Sequence, residues 1–236
     1  AVGTYLCASQ VILLVLGAPV TLALRALPTA GKGNPPGPRE WLLDGLHSKW
    51  SKFFTHPVVA TLMFVVGFYA LYFGGIFNSA VSHHGAHVLM NLHFLMSGYL
   101  FYWVVIGVDP APRELSPVAK IGMVFGTLPL HAFFGVVMMG MPEVLGESFY
   151  RSLHLSWHTD LVGDQHLGGS IAWAAGEGPL MVVMIALLVQ WSRSDQRTAK
   201  RLDRAADRDH DADLAAYNAM LAELSRRDSS SGGVGR

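Results

Sequence analysis

The chain has 236 residues, 51% of them hydrophobic and only 14% charged, and 17 basic side chains balance 17 acidic ones. Half of the charged residues, 17 of 34, follow Trp191, so the remainder is too apolar for a water-soluble domain. A single cysteine, Cys7, excludes an internal disulfide framework, and the absence of a basic–aromatic pattern excludes a nucleic-acid surface.

Five apolar runs have the roughly 20 residues needed to cross about 30 Å of hydrocarbon. They are residues 5–27, 57–77, 87–108, 118–141 and 169–191, which predicts an all-α polytopic helical membrane bundle over 1–191. The first run has no basic residue before it and exceeds the apolar core of a cleavable leader. The chain starts with Ala, as a processed or excised piece of a longer protein would. PTAGKGNPPGPRE, residues 28–40, holds four prolines and three glycines and reads as a loop. WLLDGLHSKWSKFF, residues 41–54, sets Leu43, Leu46, Trp50 and Phe53 on one helical face, the pattern of a helix lying in the membrane interface.

Basic residues orient the spans, because Lys and Arg concentrate on the cytoplasmic side. Lys32, Arg39, Lys49 and Lys52 lie in the 28–56 connection, and Arg113 lies in 109–117. The tail after Trp191 carries nine Lys or Arg, whereas 78–86 carries none and 142–168 only Arg151. The N-terminus is therefore expected outside and the tail in the cytoplasm. Residues 192–228 read as an amphipathic cytoplasmic helix, and 229–236 as a flexible tail.

This orientation puts six of the 11 histidines on the outer side: His83, His84, His87, His154, His158 and His166. His83, His84 and His87 are three and four residues apart, so a helix brings them onto adjoining faces. Met90, His131, Met138, Met139 and Met141 follow toward the same surface. Imidazole and thioether together suit Cu(I). Methionine is also an ordinary packing residue, and histidines at helix ends often bind only water. His93 and His131 lie deeper, where ionisable groups point into a bundle, and a haem between them is the electron-carrier alternative. His93 is six residues from His87, hence on a different face, which counts against that alternative.

LVGDQHLGGSIAWAAGEGP, residues 161–179, sets Asp164, Gln165 and His166 just above the fifth span. Gly168 and Gly169 allow close backbone approach there, and Glu177 stands inside the apolar run. An intramembrane carboxylate marks either a functional site or a hydrogen-bonded structural contact, and the glycines fit helix packing equally well.

Four stretches carry a resemblance to a known family: VILLVLGAPVTLALRALP (11–28), NLHFLMSGYLFYWVVIGVDP (91–110), KIGMVFGTLPLHAFFGVVMM (120–139) and DQHLGGSIAW (164–173). The chain resembles the CtaG-like family of caa-type cytochrome c oxidase assembly factors. The matching positions are His87, His93, Asp164, Gln165, Gly168, Gly169 and Trp173. The family has about seven spans and a histidine-bearing helix before the Leu-Gly-x-Pro element, whereas AVGTYLCASQ holds no histidine. In some bacteria such a module follows a CopD-like copper-resistance domain, and the chain fits the back half of that fusion.

The resemblance implies a multi-pass protein of the bacterial plasma membrane that matures the haem–copper oxidase. Its partners would be oxidase subunits, chiefly the catalytic copper-binding one, besides the lipid bilayer and no nucleic acid. On the combined reading His83, His84 and His87 capture copper. Met90, His131 and Met138–Met141 pass it inward, and Asp164, His166 and Glu177 complete the path or dock the oxidase. No step requires an enzyme. A copper transport or resistance protein is the other rival.

Overall fold

The computed structural model describes residues 9–31, 33, 35–154, 156, 160–209 and 212–231. Cys7, His158 and His210 lie outside the described residues. The chain divides into two units, Ala1–Leu188 and Val189–Arg236. Among the described residues all regular structure is helical: the chain is an all-α membrane bundle. Among the described residues, four helices are long and apolar enough to cross a membrane: Ser9–Ala26, His84–Ile106, Pro117–Gly140 and Leu161–Arg208. The remaining apolar run forms a shorter helix, Pro57–Phe73.

Helix α1, Ser9–Ala26, is broken in its middle. Pro19 has no N–H and disfavours helical geometry in the residue before it. Ala18 accordingly turns left-handed, at φ 37° and ψ 60°. The helix restarts at Pro19, and its freed N–H groups need an acceptor. Asp109, beyond the end of the third span, supplies one. Its carboxylate accepts the Thr21 N–H at 2.8 Å, the Thr21 hydroxyl at 2.7 Å and the Val20 N–H at 3.2 Å.

The segment read as one interfacial helix is two, α2 (Pro38–His47) and α3 (Lys49–Phe54). Ser48 separates them by adopting extended geometry and accepting the Ser51 N–H at 3.1 Å. From the first turn of α2, Glu40 folds back onto the N–H groups of Ala30 and Gly37, both at 3.0 Å. These bonds hold the carboxyl below the ordinary glutamate range, the Ala30 amide contributing most. Trp41, Trp50 and Phe53 are exposed.

Helix α4, Pro57–Phe73, stops at Gly74-Gly75, where Gly75 takes φ +76°. The connections read as outer loops contain short helices α5 (Phe77–Ser82) and, after the fourth span, α8 (Glu147–Ser152). Helix α6 is His84–Ile106 and α7 is Pro117–Gly140. Helix α9, Leu161–Asp209, begins eight residues before the predicted span. Asp164, Gln165 and His166 therefore stand on its first turns rather than in a loop, because Asp160 caps that end by accepting the Gly163 N–H at 2.9 Å.

The core of the first unit is aromatic. Phe64 of α4 stacks on Phe101 of α6 with centroids 4.5 Å apart. Phe68 of α4 touches Phe94 of α6 and Phe134 of α7. Such rings bury much apolar area and pair in preferred geometries, which fixes how α4, α6 and α7 meet. In the second unit, which contains α10 (Ala212–Ser231), Leu202, Leu214, Tyr217, Leu221 and Leu224 are all exposed.

Candidate functional site

At one end of the first unit, α4, α5, α6, α7, α8 and α9 surround a cavity of about 410 Å³. This is the end that carries few Lys or Arg residues in its connections. His87 and Met90 line it from α6, Met138 from α7, and Asp164 and Gln165 from α9. Tyr72, Phe77 and Phe134 supply apolar wall. Sequence spacing explains the first pair: His87 and Met90 are three residues apart on a helix, so both reach one side.

Only part of the predicted ligand set converges there. His83 precedes α6 as its N-cap residue, and its exposed imidazole Nδ1 bonds to the Ser79 carbonyl at 3.2 Å. His84 and His166 are exposed. Met139 turns toward α9, where the Ser170 hydroxyl donates to its Sδ at 3.1 Å. Met141 lies just past the end of α7. Among the described residues, no three His, Cys, Asp or Glu side chains gather closely enough to hold a metal ion. The chemistry at the cavity is thus soft and mixed, one imidazole and two thioethers with a carboxylate at the side. That donor set suits Cu(I) better than a hard divalent ion.

The two deeper histidines sit elsewhere, each in a notch made by glycine. A Cβ on Gly67 of α4 would collide with the His93 imidazole, and one on Gly176 of α9 would collide with that of His131. The histidines therefore pack against different helices. His131 is buried, lies edge-on to Phe68, and has Nδ1 3.9 Å from Glu177 Oε1. The same oxygen of Glu177 accepts the Trp173 indole N–H at 3.2 Å. Trp173 in turn packs where a Cβ on Gly135 of α7 would fall, and Gly169 makes room for Met138 and Met139. Gly169, Gly176 and Trp173 of α9 are contact points with α7, and Gly168 and Gly169 line the cavity.

Gln165 has a different task. Its Oε1 accepts the Leu145 N–H at 2.8 Å, and its Nε2 donates to the Glu143 carbonyl at 2.9 Å. Asn78 of α5 accepts the Gly146 N–H at 2.8 Å through Oδ1. Tyr150 of α8 also lines the cavity; burial raises its phenol above the usual range, and the nearby Asp164 carboxylate adds to this. Sequence reading passed over Asn78, Tyr150, Gly67 and Gly135. Nothing in their spacing marked them, since each acts through a helix distant in sequence.

The pattern of the cytochrome c oxidase caa3 assembly factors (Caa3_CtaG) matches residues 4–194. The chain is 52% identical over 216 residues to the uncharacterized protein Mb0105 of Mycobacterium bovis. It is 52% identical to MT0111 of Mycobacterium tuberculosis and 51% to ML1998 of Mycobacterium leprae over the same length. Each alignment covers 91% of this chain and 33% of the other protein. The chain thus spans about a third of the length of these curated relatives. No solved structure matches it.

Proposed function

From the premise that the chain belongs to the cytochrome c oxidase caa3 assembly factor family, we propose that it serves haem–copper oxidase assembly by holding Cu(I) as cargo in the cavity lined by His87, Met90 and Met138. The observation that carries this reading is their convergence, with Asp164, on one cavity at the end poor in Lys and Arg. The role is non-catalytic. The partners are oxidase subunits, chiefly the catalytic copper-binding one, and the setting is a bacterial plasma membrane with the cavity facing outward. Copper inserted from that face needs no path through the bilayer. This favours delivery over permeation, since the opposite ends of the helices lack a His or Met cluster.

The sequence-based capture group narrows. His87 remains at the cavity, whereas His83 and His84 are surface residues on this proposal, and His93 and His131 are bundle contacts. The test is competition for Cu(I) against a chromophoric chelator. A His87→Ala/Met90→Leu/Met138→Leu variant is expected to lose more than about 10-fold in affinity, the loss that removing even an outer-shell partner brings. A His83→Ala/His84→Ala variant is expected to match the parent. Equal, negligible binding by all three proteins would leave a metal-free scaffold. Removal of the protein from its host, with oxidase assembly scored with and without added copper, separates delivery (rescued) from scaffolding (not rescued).

A further inference from the structure

Between the end of α7 at Gly140 and the end of α8 at Ser152, the chain crosses one side of the cavity. Val144, Leu145 and Tyr150 from this crossing line it directly. The backbone here is irregular, with Gly146 at φ +73°, a conformation that residues with a Cβ rarely adopt. A Cβ at Gly146 would also press on Phe77, Val81 and Tyr150, so this glycine lets the crossing lie close against α5. Besides backbone bonds from Glu147 and Tyr150 of α8, side chains of α5 and α9 make three hydrogen bonds to the 143–146 backbone among the described residues, two from Gln165 and one from Asn78.

We infer that residues 142–152 form a lid over the cavity and that Gln165 and Asn78 are the positioning residues that latch it. The inference rests on the copper reading for the identity of the cargo, though the latch itself does not. Gln165 suits the task because one carboxamide offers an acceptor to the Leu145 N–H and a donor to the Glu143 carbonyl, as a neighbouring strand would. Glutamate keeps only the acceptor, and leucine keeps neither. Asn78 uses only its oxygen toward Gly146, so aspartate can replace it. Local opening of a segment held by a few bonds needs far less than global unfolding. The latch therefore sets how often the cavity meets its partner.

The experiment uses the full chain in detergent micelles, with Ala172→Cys, a buried cavity-lining position, placed in a Cys7→Ser background. Amide exchange at Leu145 and Gly146 reads the latch and maleimide labelling of position 172 reads access, while the rate of Cu(I) transfer to a chelator, which reads cargo release, is measured with Ala172 in place, because a thiol in the cavity would itself hold Cu(I). Gln165→Leu is expected to speed exchange at Leu145 by about 5- to 10-fold for each bond lost, with labelling and Cu(I) release accelerating in step. Gln165→Glu falls between parent and Gln165→Leu, and Asn78→Asp matches the parent. Unchanged exchange in Gln165→Leu overturns the latch, and faster exchange with unchanged labelling overturns the lid. Faster exchange and labelling in a protein that binds no Cu(I) supports the lid and defeats only the copper reading.

Discussion

Nδ1 of His131 on α7 lies 3.9 Å from Oε1 of Glu177 on α9, and the imidazole occupies a notch that exists because residue 176 has no side chain. This arrangement joins two spans by a polar pair inside an apolar bundle. Burying ionisable groups is costly unless they find partners. The Trp173 indole gives the Glu177 carboxylate a hydrogen bond inside the apolar run, whereas His131 Nδ1 at 3.9 Å is beyond hydrogen-bond reach of it.

Gly176→Ala places a methyl group on the His131 ring. The variant is expected to lose roughly 1–3 kcal/mol, the usual cost of overpacking, measured as thermal unfolding in micelles. Adding His131→Ala should recover part of that loss, a coupling of at least about 0.5 kcal/mol for residues in contact. Strict additivity of the two changes would show that the notch does not exist as described.

Asp109 caps the broken first span, and Asp109→Ala leaves the Val20 and Thr21 N–H groups without that acceptor. The expected cost is about 1–3 kcal/mol, with faster amide exchange at positions 20 and 21. Asp109→Asn keeps an acceptor oxygen and should be milder. Exchange at Thr21 that does not respond to Asp109→Ala would refute the cap.

Glu40 gives a pH signature. Its folded carboxyl titrates below the unfolded value, held down chiefly by the Ala30 amide. The stabilisation it lends is therefore present above the unfolded value and disappears as pH falls through the folded one. Acid should release the Ala30 and Gly37 amides to faster exchange, beyond the intrinsic pH effect, in the parent chain. In Glu40→Gln this acid-linked step should be absent. A step of equal size in both proteins would assign it to another group.

Class and membership could be read from residues taken singly. Apolar run length identified the membrane bundle, and residues such as those of DQHLGGSIAW pointed to the family that matches 4–194. The Pro19 break was visible as LGAPV, although its acceptor, Asp109, was not. Asp109 is 88 positions away from Thr21, and no local pattern joins them.

The site was legible only in outline. The His/Met concentration is a property of composition, so it showed in the sequence. Which members share a cavity depends on the rotation of each helix about its axis. A span apolar all round carries no amphipathic stripe to report that rotation. Ring packing among Phe64, Phe68, Phe94, Phe101 and Phe134 sets it instead. That packing brings exposed His87, half-buried Met90 and buried Met138 to one cavity, and it is compatible with His131 lodging on Gly176 and Gln165 clasping the 143–145 backbone. Hydropathy and charge accumulate along a chain and need no partner to be read. Contacts between helices belong to pairs of residues, and only the folded chain brings those pairs together.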